Sequence, residues 1–188
     1  MKWYYLTLIV AAAGFVYSGA DAQASRRASV ESRVAAHRAA GAGRDYYIEF
    51  LARPSQYFGH SYVRLGRIDG SGKAHAGVTA GYYPVNADAA FGGPSLVTAT
   101  RDDLHAKPSV RYRVAVSGRT YRKTSAMIAR LPLTWRRYDL VSRNCNHLVG
   151  AIAGKIGLSV PGDYADVPES YVRALHAANA GRERASWR

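Results

Sequence analysis

The only cysteine of the chain, Cys145, stands where a short extended run gives way to a helical pattern. The preceding Asn144 is a good N-cap, because its side-chain oxygen can accept a hydrogen bond from a free amide of the first turn. Cys145 would then be the first helical residue, where unpaired amides and the positive end of the helix dipole favour a thiolate over a thiol. A thiolate within reach of a histidine can act as the nucleophile of a hydrolase or transferase. The alternative is a packed core thiol, since Cys145 shares a helical face with Leu148, Val149 and Ile152.

Six histidines could supply the base. His147 is the nearest in sequence, but two residues along a helix correspond to about 200° of rotation, which turns it away from Cys145. His176 falls on the last predicted helix, and His105 lies in a polar stretch that is typical of a surface loop. His60 is the favoured base, because it opens a predicted strand directly after a glycine and is therefore held on a rigid element with open access.

The elements that position these residues are a hairpin, further strands and then helices. His60 shares a strand face with residues 62 and 64, because side chains alternate along a strand. The turn signal at 69–72 and the strand that follows at 74–83 place residue 81 opposite His60. This order predicts an α+β fold with an antiparallel sheet. Further strands are predicted at 45–52, 95–100 and 109–117, and helices at 120–131, at 145–156 and from 168 onwards.

Length and composition indicate one domain with a real core, since the chain has 188 residues, of which 48% are hydrophobic. Residues 1–24 have the layout of a secretory signal peptide: one lysine, an apolar run and small-x-small triplets. We expect cleavage and export, most simply to a bacterial periplasm; an uncleaved run would be long enough to anchor the chain in a membrane. Residues 25–44 are predicted to be a basic linker, 45–178 the domain, and 179–188 a frayed tail.

The formal net charge is +13, which favours an anionic partner such as a membrane surface or an acidic polymer. The alternative is an arginine-rich surface that is simply solvated. No known nucleic-acid motif is present, so no specific nucleic-acid partner is expected. One cysteine excludes an internal disulfide. No metal or other cofactor is expected, because His60, His75 and His105 do not stand at a recognised ligand spacing. The sequence carries no signal of oligomeric state.

Two motifs carry a resemblance to known families: GHSYVRLG around His60 and, far later, NCNHLVGAIAGKIGL from Asn144 onwards. Together they resemble the circularly permuted papain-like fold, in which the histidine strand precedes the cysteine helix. The second motif is similar to the signature of deSUMOylating-type peptidases, to the Asn-Cys-Glu-His motif of lecithin:retinol acyltransferase-like proteins and to the wider NlpC-type cell-wall peptidases. The resemblance covers about residues 45–178. It implies that Cys145 is the nucleophile and His60 the general base of an acyl-enzyme mechanism.

The resemblance also implies an orienting group for the base. In acyltransferase-like members a second histidine on the partner strand plays this role, which would correspond to His75. The hairpin pairing instead leaves His75 opposite Gly66, away from His60 unless the turn is longer or bulged. Thr79, diagonal to His60, is another orienting candidate, and Gln56 is a candidate for polarising an oxyanion.

The sequence therefore predicts an exported thiol hydrolase that cleaves amide bonds, in peptides or in cell-wall material such as peptidoglycan, through a Cys145–His60 dyad. Its predicted fold is α+β and permuted papain-like, with the cysteine-bearing helix packed against an antiparallel sheet. One alternative is a non-catalytic basic module that binds an anionic envelope polymer or a membrane. Another is a lipid acyltransferase that uses the same dyad.

Overall fold

The computed structural model describes residues 45–54 and 58–181, and these form a mixed α+β fold as predicted. The predicted signal peptide, the linker, most of the tail and Gln56 lie outside the described residues. None of the described helices is long and apolar enough to cross a bilayer. The strands are β1 (Asp45–Arg53), β2 (His60–Ile68), β3 (Ala74–Pro84), β4 (Phe91–Thr98), β5 (Val110–Val116) and β6 (Arg137–Asp139); the helices are α1 (Arg101–His105), α2 (Gly118–Thr134), α3 (Cys145–Lys155) and α4 (Pro168–Ala177), with a 3₁₀ turn at Asp88–Ala90.

The six strands form one antiparallel sheet in the order β5-β1-β2-β3-β4-β6. Its central strand β2 is buried on both sides, because Tyr62 and the adjacent Val63 are both inaccessible to solvent. Side chains alternate between the two faces of a strand. We call these faces the helix face, with Ser61, Val63 and Leu65 of β2, and the polar face, with His60, Tyr62 and Arg64 of β2.

Helices α3 and α4 both pack on the helix face. The hydroxyl of Ser61 donates a hydrogen bond to the Asn146 side chain of α3, over 2.8 Å. Tyr112 of β5 lies opposite Phe50 of β1, on the same face, and its ring stacks on His176 of α4 with the centroids 4.8 Å apart. The cysteine-bearing helix is therefore packed against the antiparallel sheet, as the sequence predicted.

The register of the β2–β3 hairpin differs from the predicted one by two residues, because Tyr62 lies opposite Gly81 where His60 was expected. One residue of the shift comes from the turn, whose five residues 69–73 lie between the paired Ile68 and Ala74. The second comes from a β-bulge beside Gly66, which adds a residue to β3. The expected pairing of His60 with residue 81 was therefore wrong.

The polar stretch after β4 forms a short helix, where the sequence indicated a surface loop. Thr100 and Asp103 make a capping box: the Thr100 hydroxyl accepts from the Asp103 amide, and the Asp103 carboxylate accepts from the Thr100 amide. This short α1 buries Asp103 completely against the polar face of the sheet. The capping box thus places a carboxylate beneath the sheet.

Candidate functional site

Cys145 is the first residue of α3, and Asn144 is its N-cap, as predicted. The side-chain oxygen of Asn144 accepts from the amides of Asn146 (3.0 Å) and His147 (3.4 Å). Its amide nitrogen donates to the carbonyl oxygens of Leu140 and Tyr164, each over 2.7 Å. Because the cap is itself held at four points, the start of the helix and the cysteine on it have a fixed position.

Tyr138 of β6 is the immediate partner of Cys145. The phenol of Tyr138 lies close to both the thiol and the backbone amide of Cys145, and both act on it electrostatically. Burial, together with the neighbouring Cys145, raises the pKa of Tyr138 above its ordinary value, so the phenol is protonated at neutral pH. A protonated phenol is a hydrogen-bond donor, and it lies beside the sulfur at the positive end of a helix.

A pocket of about 200 Å³ opens beside Cys145. Three of its lining residues are large apolar side chains that are exposed to solvent: Phe58 (62% exposed), Val141 (66%) and Val167 (52%). The polar groups that line it come from Tyr138 of β6, from the start of α3 and from Asp166 in the segment before α4. The thiol therefore lies at a cavity that a ligand can enter, and the cavity has an apolar rim.

Asn146 fixes the walls of this pocket relative to one another. Its side-chain oxygen accepts from Ser61 of β2, and its side-chain nitrogen donates to the carbonyl oxygens of Tyr164 (3.2 Å) and Asp166 (2.8 Å). Asn146 is almost completely buried, at 1% exposure. One amide side chain thus joins the strand, the helix and the loop that surround the thiol.

The structure does not bring His60 and Cys145 together. The His60 ring stacks on Tyr83 with the centroids 4.0 Å apart, whereas Tyr138, the partner of Cys145, packs on Tyr82 at 5.2 Å. Tyr82 and Tyr83 are consecutive in β3, so their side chains point to opposite faces of the sheet. The histidine is on the polar face and the thiol on the helix face, and no hydrogen bond joins them within the described part of the chain.

The surroundings of His60 also make it a weak base. It is buried in contact with the polar cluster of Arg53, Tyr83 and Asp103, where the Arg53 guanidinium donates to Asp103 over 3.1 Å. Among the described residues its Nε2 atom has no hydrogen-bond partner, and neither has the hydroxyl of the neighbouring Tyr62. Burial lowers the pKa of His60 to about 3, a change that the Asp103 carboxylate only partly offsets. A base with this pKa has little tendency to take a proton from a thiol at neutral pH.

The structure places the predicted orienting residues away from His60. Thr79 lies opposite Arg64, four positions along the sheet from His60, which corresponds to about 13 Å. His75 lies opposite Arg67 and its Nε2 contacts the Asp69 carboxylate over 2.6 Å, so it belongs to the hairpin turn. Neither residue is positioned to orient His60 in this structure.

The other described histidines have separate surroundings. His147 stacks on Tyr164 at 4.1 Å, and its Nδ1 accepts from the Asn144 amide. Burial and the nearby Arg143 lower the pKa of His147. His105 is exposed at the end of α1. In the segments 45–54 and 58–181 no three His, Cys, Asp or Glu side chains are grouped so that they could hold a metal ion.

Sequence reasoning missed two members of the site, Tyr138 and Asn146. A signal for Asn146 existed, because Asn-Cys-Asn places a second amide side chain directly inside a helix start, where such residues bond to nearby backbone. Tyr138 had no such signal, since its contact with Cys145 depends on the path of the chain through residues 139–144.

Comparison with protein-family models, with curated proteins and with solved structures finds no match to this chain. The resemblance of its motifs to permuted papain-like enzymes stays a prediction.

Proposed function

We propose that the chain is an exported thiol hydrolase that cleaves amide bonds in peptides or cell-wall material, with Cys145 as its nucleophile. One observation carries the proposal: the thiol lies at the first residue of a capped helix, lines an open pocket, and lies beside a protonated phenol. A helix start and a hydrogen-bond donor are the groups that stabilise a thiolate.

The finer fold assignment is part of this proposal. We propose a permuted papain-like domain, in which antiparallel strands precede the cysteine-bearing helix. The order of β1 to β6 before α3, and the packing of α3 on the sheet, support it. The signal-peptide pattern of residues 1–24 supports export.

In the proposed reaction, the Cys145 thiol loses its proton to water and Sγ forms a bond to the carbonyl carbon of the substrate. The Tyr138 hydroxyl donates to the oxyanion that develops, because it lies beside both the sulfur and the Cys145 amide. The C–N bond then breaks and the amine leaves with a proton from solvent. Water finally hydrolyses the thioester and regenerates the thiol. His60 takes no part, since it lies on the other face of the sheet.

The test combines labelling and hydrolysis. A thiol-directed amide electrophile should alkylate Cys145 faster than free cysteine at pH 7. Cys145→Ala should abolish amide hydrolysis, measured on peptides and on peptidoglycan fragments. Tyr138→Phe should reduce the hydrolysis rate by about 100-fold, which is typical of the loss of an oxyanion donor. Tyr171→Phe is a matched control, because this buried tyrosine donates to the Pro161 carbonyl instead.

Two outcomes would contradict the proposal. Hydrolysis that persists in Cys145→Ala would exclude a thiol enzyme. A rate that falls in His60→Phe but not in Tyr138→Phe would show that a Cys–His dyad operates and that the assigned role of Tyr138 is wrong.

A second candidate is a non-catalytic basic module that binds an anionic envelope polymer or a membrane. The net charge of +13 and the separation of His60 from Cys145 favour it. Binding should then weaken as salt is raised and should be unchanged in Cys145→Ala. A lipid acyltransferase would use the same thiol, and its acylated product would distinguish it from a hydrolase.

A further inference from the structure

We infer that the pocket beside Cys145 takes an uncharged, apolar group of side-chain size on the acyl side of the scissile bond, and disfavours an anionic one. This inference rests on the proposed function, because it assigns a substrate class to the same site.

The first observation is where the exposed apolar surface lies. Eight large hydrophobic side chains are exposed among the described residues, and three of them, Phe58, Val141 and Val167, line this one pocket. They come from three separate segments of the chain, so sequence proximity does not explain their meeting. Apolar side chains that converge on a cavity are the usual lining of a site for an apolar ligand.

The second observation is the charge of the lining. The chain has 26 lysines and arginines against 13 acidic residues, yet among the described residues no cationic side chain lines the pocket. In the part of the chain that the structure describes, the one charged residue of the lining is Asp166, whose carboxylate accepts a hydrogen bond from the Val167 amide over 2.7 Å. A carboxylate or phosphate on the ligand would find no counter-charge there and would meet a like charge instead.

The third observation is size. The pocket volume of about 200 Å³ is below the roughly 300–1,000 Å³ of sites for drug-sized ligands. It accommodates one amino-acid side chain or a short acyl group. The bonds from Asn146 to both Tyr164 and Asp166 hold the 164–166 wall in place, so this size is built into the fold.

The experiment measures acylation of Cys145 by two p-nitrophenyl esters of similar size, the neutral isovalerate and the anionic hemisuccinate. Nitrophenolate release gives the rate, and each rate is divided by that of free cysteine with the same ester. We expect the normalised ratio to favour isovalerate at least tenfold. Long-range attraction by the +13 chain would favour the anionic ester, so a preference for isovalerate must arise in the pocket.

A rim variant tests where the preference arises. Val141→Lys places a cation at the pocket and should reduce the isovalerate preference at least fivefold. Val85→Lys is the matched control, because Val85 is also an exposed valine but does not line the pocket. Both positions are on the surface, so both variants should fold.

The outcomes separate this inference from the proposed function. Equal normalised rates, or the same change in both lysine variants, would overturn the apolar specificity while leaving a thiol enzyme. Acylation no faster than that of free cysteine would overturn the proposed function, and the ratio of the two slow rates would still decide the specificity of the pocket.

Discussion

His60 should make the stability of the protein depend on pH, because its folded-state pKa of about 3 is far below the ordinary value of 6.5. Between these two values the unfolded chain holds a proton that the folded chain excludes. The contribution of His60 to stability is therefore fully present above about pH 6.5 and is lost as the pH falls towards 3. The charged groups around the ring are Arg53 and Asp103, which act in opposite directions.

The size of the effect follows from the two pKa values. Between pH 7 and pH 5 the linkage relation gives a loss of about 2 kcal/mol in the free energy of unfolding, and the full loss below pH 3 approaches about 5 kcal/mol. His60 is almost completely buried, so solvent screening does not reduce this figure substantially.

The assay is urea unfolding at pH 5, 6, 7 and 8 for the wild type and for His60→Phe. The phenyl ring keeps the stacking on Tyr83 but has no titratable group. Between pH 7 and pH 5 the free energy of unfolding of the wild type should fall by about 2 kcal/mol more than that of His60→Phe. The comparison removes the contribution of His147, whose pKa is also lowered and which both proteins retain. Parallel pH profiles would refute the reasoning.

Three further predictions concern single positions. Asn144→Ala removes the cap of α3 and should cost about 1–2 kcal/mol in urea unfolding and slow the alkylation of the adjacent thiol; an unchanged alkylation rate would contradict the role of the cap. Gly81→Ala should lower the free energy of unfolding by about 1–3 kcal/mol, because the added Cβ would lie 2.5 Å from the Nε2 atom of His60. Gly70→Ala is the control, since Gly70 has open space around it, and it should lower the free energy of unfolding by less than about 0.5 kcal/mol. Equal losses in the two variants would be inconsistent with this packing. Asp103→Asn removes the buried carboxylate that pairs with Arg53 and leaves it only the exposed Asp102, 3.8 Å away. The variant should lose about 3 kcal/mol in the free energy of unfolding, measured as a shift of the urea midpoint; a loss below about 1 kcal/mol would exclude a stabilising buried ion pair.

The start of α3 could be predicted from the sequence because its signals are local. Asn144 caps the helix through atoms two and three residues away, and such contacts depend on residue type and spacing alone. The strand that carries His60 was predicted for the same reason, since alternation is a property of neighbouring residues.

The partner of the thiol could not be predicted, because it depends on which face of the sheet α3 covers. Alternation correctly groups His60 with Tyr62, but both faces of β2 are buried, so the pattern does not say which face meets the helix. The hairpin register could not be predicted either, because a bulge beside Gly66 shifts the pairing without changing the hydrophobic pattern. The pairing of Asp103 with Arg53 was not predicted, although the capping box that Asp103 forms can be recognised in the sequence.

The bonds of Asn146 have a consequence for how a ligand would enter. Its hydrogen bonds to the Tyr164 and Asp166 carbonyl oxygens would both have to break before the wall formed by 164–166 could move outward. Entry should therefore need only rotations of the exposed side chains at the rim, which occur within nanoseconds. The described walls of the cavity are in place before anything occupies it, so little conformational entropy is lost from them on association. The pocket should thus behave as a rigid receptor, with association limited by diffusion and desolvation and not by a slow rearrangement of the backbone.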